Sequence, residues 1–152
     1  MRSLLLLLPA LALVATEPAG FVHWKSSELK AYGAKLAPKM DAKKSAFETV
    51  AKFGNHLTMV AHRERSGEAE LHDKQADFFI VQSGEATLVH GGRIQDARTT
   101  APGEIRGPSI QGGEKTRLGP GDIVHIPAKQ AHQLLLDPGA KFDYFVIKVD
   151  VM

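Results

Sequence analysis

The sequence predicts an all-β barrel or sandwich with one helix on its N-terminal side. From Ala46 onward apolar residues alternate with a period of two, as half-buried strands require. Clusters of Gly, Pro, Asn and Asp interrupt these runs at short intervals, as turns between strands do. Ahead of them Leu29, Tyr32 and Leu36 recur at helical spacing. A chain of 152 residues is long enough for one domain with its own core, and 43% apolar with 24% charged residues is ordinary for a globular protein.

The first residues have a different character. Arg2 precedes the apolar run Leu4–Leu8, followed by Pro9-Ala10-Leu11-Ala12-Leu13-Val14-Ala15. A charged start, a short apolar core and small residues at its end are the parts of a secretory signal peptide, here residues 1–19. The run falls short of the ~20 apolar residues of a membrane span. An uncleaved anchor or a buried helix is the alternative reading. The mature protein is therefore expected to be secreted or periplasmic, with no stable membrane anchor after processing. The cleavage position stays open between Ala15 and Ala19.

The chain contains no cysteine, which excludes a lipid-modified bacterial lipoprotein, disulfides and thiolate metal ligands. Removing residues 1–19 takes away Arg2 and Glu17 and leaves the net charge at +2. That even balance argues against a nucleic-acid partner, which requires a clustered basic surface.

Residues 20–45 read as a helix and a linker. Ser26-Ser27-Glu28 offers a serine cap and an acid in the first turn, and Pro38 ends or kinks the helix. Residues 46–152 read as the barrel. Phe47, Thr49, Ala51 and Phe53 form one strand, Gly54-Asn55 a turn, and His56 to Arg65 the returning strand with Leu57, Met59 and Ala61 on one face. A short strand holds Glu70 and His72. Phe78 to Gln82 follows, and Ser83-Gly84 is read as a tight turn to an antiparallel partner at Ala86 to His90. Arg93 to Gly113 has no clear period and reads as a long loop, either functional or disordered. Lys115–Leu118, Ile123–Ile126, His132–Leu136 and Phe142–Val149 complete the strands.

Chemistry concentrates in two stretches. In a strand, residues i and i+2 share a face, so Glu70 and His72 stand ~7 Å apart on one side and can converge on one ion. Asp77, opening the next apolar strand, offers a third donor, and His132 offers a fourth. Two imidazoles with two carboxylates suit a divalent transition ion such as Mn, Fe, Zn or Ni. His125, on the strand feeding the His132 turn, and Arg106, in the long loop, are candidate substrate-binding residues. Asp122 is read as turn chemistry, its carboxylate capping backbone N–H groups.

These stretches resemble the two signatures of the cupin superfamily. In the first, Glu70 and His72 take the positions of a His-x-His pair, Asp77 that of an acid, and Gly84 that of a closing glycine. In the second, Gly121, Asp122, Pro127 and His132 fit Gly-Asp-x-x-x-x-Pro-x-x-x-x-His. The resemblance covers roughly residues 56–150. It implies a single-domain jelly-roll barrel, often a homodimer, with a divalent metal inside. The chain departs from the pattern in having Glu70 for the first histidine, Asp77 for the usual glutamate and Lys129 for a customary glycine.

Three classes of function follow. The resemblance implies a metal-dependent enzyme acting on a small molecule, such as an oxygenase, isomerase or lyase. The second is a non-catalytic module or sensor that binds a metal or a small ligand, and the third a structural barrel with a polar lining. No G-x-S-x-G elbow, P-loop or G-x-G-x-x-G fingerprint is present.

Overall fold

The computed structural model describes residues 19–151, so the expected signal peptide lies, apart from Ala19, outside the described residues. Helix α1 (Ser26–Leu36) forms at the helical-spaced segment, and a 3₁₀ turn at Ala37–Lys39 absorbs Pro38. The expected serine cap is not made. Lys25 is the cap residue without a side-chain hydrogen bond, and Ser26 is already helical.

Thirteen strands follow among the described residues, paired antiparallel throughout. The first five are β1 (Ser45–Lys52), β2 (His56–Arg63), β3 (Ala69–His72), β4 (Gln75–Gly84) and β5 (Ala86–His90). Four short ones come next: β6 (Arg93–Ile94), β7 (Arg98–Ala101), β8 (Glu104–Gly107) and β9 (Ile110–Gln111). The last are β10 (Glu114–Leu118), β11 (Ile123–Ile126), β12 (His132–Leu135) and β13 (Phe142–Asp150). One sheet has the order β1-β2-β13-β4-β11, the other β10-β5-β12-β3-β8-β7, and β6 pairs with β9.

Two expectations are corrected. β4 and β5 are not hairpin partners: β4 pairs with β11 and β13, whereas β5 pairs with β10 and β12 in the other sheet. Gly84 adopts φ +75° at the end of β4, and pairing lapses at Glu85 as the chain changes sheets. Residues 93–113 are not a structureless loop either. They form β6 to β9, each two to four residues long and too short to show a period.

The alternating pattern sets the layers. Phe79, Val81, Leu88, Leu118, Ile126, Leu134, Phe142, Tyr144 and Val146 form the main core between the two large sheets. On the other side of the first sheet, Leu36 of α1 packs with Val60 and Phe145, joined by Trp24, Leu29 and Tyr32. Gly33 permits this close approach. A Cβ there would lie 2.4 Å from Asp143 Oδ2, and that carboxylate is held by His62 Nδ1 at 2.6 Å and by the Ser83 hydroxyl. Ile94, Ile105 and Ile110 pack with Ala69 and Leu71, so they tie residues 93–113 to the back of β3.

Candidate metal centre

The strand register brings the site together. On β3, Ala69 and Leu71 face the outer apolar cluster, which turns Glu70 and His72 toward the other sheet. Glu70 pairs across the sheet with His132 of β12 on one side and Arg106 of β8 on the other, and His72 stands opposite Glu104. Asp77 of β4 lies in the first sheet, directly opposite Lys148 of β13. The donors therefore come from both layers.

Glu70, His72 and His132 each offer a ligand atom within 4.8 Å of the others. Asp77 Oδ2 lies 3.4 Å from His72 Nε2 and 3.7 Å from His132 Nε2. Glu70, His72 and His132 thus share one potential ion position, and Asp77 borders it beside the two histidines. Each imidazole is oriented by its far nitrogen. His72 Nδ1 lies 2.7 Å from Glu104 Oε2, and His132 Nδ1 lies 3.1 Å from the Gln130 carbonyl, so both Nε2 atoms face the interior. The Lys129 residue beside that turn has φ +64°, the left-handed conformation that a glycine would adopt at less cost.

Charge is arranged around these donors. Burial pushes the pKa of His132 down, which keeps the ring neutral, and its Nε2 is buried without a hydrogen-bond partner. A neutral imidazole with an orphaned inward nitrogen fits a metal ligand. Burial also works against a charged His72, but hydrogen bonds with Asp77 and Glu70 outweigh it and hold the pKa up at about 9. Ligation through His72 Nε2 requires that proton to leave. For Glu70, burial favours the neutral acid, yet the His72 hydrogen bond and the Arg106 charge hold it well below the usual carboxylate range. Asp77 is lowered in the same way, with burial opposed by His72 and Lys148.

The two substrate-binding candidates part company. Arg106 Nη1 donates to Glu70 Oε1 at 2.6 Å and lines the cavity above the donors. His125 does not reach the cavity. Val124 and Ile126 take the inward positions of β11, so His125 is exposed on the outer face, stacked on Phe78 with ring centroids 4.6 Å apart.

Four residues at the site were not singled out from the sequence: Arg63, Glu104, Tyr144 and Lys148. Lys148 Nζ donates to both Asp77 oxygens at 2.8 and 2.9 Å. Arg63 Nε donates to the Tyr144 hydroxyl at 2.9 Å, and its guanidinium lies 3.8 Å from Glu70. Parity carried a signal for three of them. Arg63 continues the face of Met59 and Ala61, while Tyr144 and Lys148 share a face with Val146. Glu104 sits on a four-residue strand with no readable period. The cavity over the site has a volume of about 630 Å³, and Met59, Phe79, Leu134 and Val146 give it apolar walls.

Glu104 orients the His72 ring by accepting from Nδ1, so Glu104→Gln is expected to lower affinity for a divalent ion by about 10–100-fold without unfolding the barrel. Titration with Zn(II) against a chromophoric chelator measures this, and unchanged affinity would remove the orienting role.

No protein-family model matches the chain, and no curated protein does. Solved structures do resemble it. The polyketide cyclase RemF from Streptomyces resistomycificus aligns over 70% of this chain and 66% of its own length, at 15% identity and a TM-score of 0.51. This chain thus spans about two thirds of that cyclase. A double-stranded β-helix protein from Klebsiella pneumoniae aligns over 72% of this chain and 79% of its own, at 18% identity and a TM-score of 0.53. Pac13 from Streptomyces, described as a nucleoside dehydratase, aligns over 74% of this chain and 75% of its own, at 8% identity and a TM-score of 0.52. Two antiparallel sheets closed over an inward cluster of histidines and carboxylates, together with these likenesses, give the chain a cupin-type fold, the double-stranded β-helix.

Proposed function

We propose that this chain is an exported, metal-dependent cupin-like protein that acts on a small molecule as an oxygenase, isomerase or lyase. Glu70, His72, Asp77 and His132 hold the ion, which is Mn, Fe, Zn or Ni. The observation that carries the reading is the buried, unpartnered Nε2 of His132, aimed at the same space as His72 Nε2 and Glu70. A bound divalent ion there supplies Lewis-acid polarisation of a substrate oxygen or a water of lowered pKa.

The chain's own residues do the rest. The apolar walls exclude water from a small ligand, and Arg63 and Arg106 hold the Glu70 carboxylate in place. The Tyr144 hydroxyl, which accepts from Arg63, keeps its proton free to donate toward the cavity that it lines. Burial pushes the Tyr144 pKa up, so this proton stays in place at neutral pH. The cyclase and the dehydratase named above also act on small molecules, which favours catalysis over a non-catalytic binding or sensor role. Export follows from the N-terminal sequence pattern, and a homodimer from the family resemblance.

Protein purified without added metal or chelator is expected to contain about one equivalent of a single divalent transition ion. Metal-loaded protein is then expected to turn over a member of a panel of small oxygenase, isomerase and lyase substrates. Stoichiometric metal with no turnover would assign the non-catalytic binding role instead. Protein that takes up no ion even on reloading at neutral pH would refute the metal centre.

A further inference from the structure

Lys148 occupies a place that the metal reading leaves unexplained. Its Nζ lies 2.8 and 2.9 Å from the two Asp77 oxygens and 3.1 Å from His72 Nε2. Those atoms belong to two of the four proposed ligands. A unit positive charge therefore already sits among the donors. Its position is no accident of a flexible surface chain: β13 and β4 pair Lys148 directly with Asp77, and the lysine side chain is only 18% exposed. At these distances an ion ligated by Asp77 and His72 Nε2 would stand within a few ångströms of the ammonium, and the two cations would repel each other.

The surroundings also give the ammonium somewhere to go. Lys148 lines the cavity of about 630 Å³, and a lysine head on its four-carbon stem can turn into that space without moving the strand. The two arginines that border the donors are committed, Arg106 to Glu70, and Arg63 to Tyr144 and Glu70. A withdrawn Lys148 would be the uncommitted cation of this group.

We propose that Lys148 is a tethered cation that competes with the metal for Asp77 and His72. Metal loading displaces its ammonium into the cavity, where it serves as the anchor for an anionic group, a carboxylate or phosphate, on the small-molecule ligand. This inference rests on the metal reading above. It makes the site two-state: lysine-paired without the ion, lysine-released with it.

The test compares the wild-type protein with Lys148→Met and Lys148→Gln, using Zn(II) and a chromophoric chelator. Removal of the competitor is expected to tighten Zn(II) binding by about tenfold or more. Equal or weaker binding in a variant that circular dichroism shows to be folded would overturn the proposal. Removing Lys148 also leaves Asp77 buried without its ion pair, so a second readout uses the wild-type protein alone. Acylation of Lys148 by an N-hydroxysuccinimide ester, followed by mass spectrometry, is expected to rise at least about threefold when Zn(II) is added, because the released ammonium becomes accessible. Unchanged labelling in protein shown to hold the ion would equally overturn it. Failure of the metal reading looks different: neither the wild type nor either variant would bind Zn(II), and the His72 and His132 variants would match them.

Discussion

Replacing His72 and His132 together with alanine is expected to abolish retention of a divalent ion while the barrel stays folded. The double variant loses both inward Nε2 atoms and leaves two carboxylates that are already neutralised, Glu70 by Arg106 and Asp77 by Lys148. Carboxylates engaged in this way offer little to an ion, and affinity should fall by about a thousandfold or more. The fold has less to lose. Removing His132 deletes a polar atom that is buried without a partner, which offsets part of the cavity cost. Elemental analysis of parent and variant, alongside their circular dichroism, checks both halves. A folded variant that keeps the parent's metal content would move the ion elsewhere.

Gly84→Ala is expected to destabilise the protein by about 3 kcal/mol or more, lowering its melting temperature by about 10 °C or more. Gly84 has φ +75°, where an L side chain is strained. An added Cβ would also lie 1.8 Å from the Lys141 carbonyl oxygen. The obstacle is backbone and cannot rotate away, so β4 and β13 must separate where the chain leaves one sheet for the other. Gly54→Ala is the control, because a Cβ there meets nothing within 4 Å. Thermal melts of the two variants should differ by most of the stated shift. Equal melting temperatures would mean that the corner relaxes without cost.

Much of this architecture was legible because two-residue alternation over long strands leaves little choice of face. Alternation put Glu70 and His72 on one face, whereas Phe78 to Gln82 was readable as a continuous apolar run, and Asp77 and His132 through their places in the two signatures. Pairing partners were less accessible. Ser83-Gly84 has the composition of a hairpin turn, but the same glycine serves a corner between sheets, and composition alone does not distinguish them. The strands from Arg93 to Gln111 are fixed by contacts of Ile94, Ile105 and Ile110 with β3, a tertiary effect that short windows do not carry. His125 misled because nearness in sequence to His132 was weighed above the parity of β11, which sends it outward. Lys148 was missed for the opposite reason. Parity with Tyr144 and Val146 puts it inward, but an inward lysine breaks the expected pattern of a buried strand until its partner Asp77 is known.

β13, the last of the thirteen strands in chain order, lies in the middle of its sheet, between β2 and β4. Before it arrives, those two strands have no neighbour in common, and Asp77 has no Lys148 opposite it. Assembly is thus dominated by contacts between distant parts of the chain, which slows folding relative to a hairpin-by-hairpin order. A nascent chain must wait for its final strand before the layers can close. Such a delay exposes the open edges of β2 and β4 to other chains until the strand arrives.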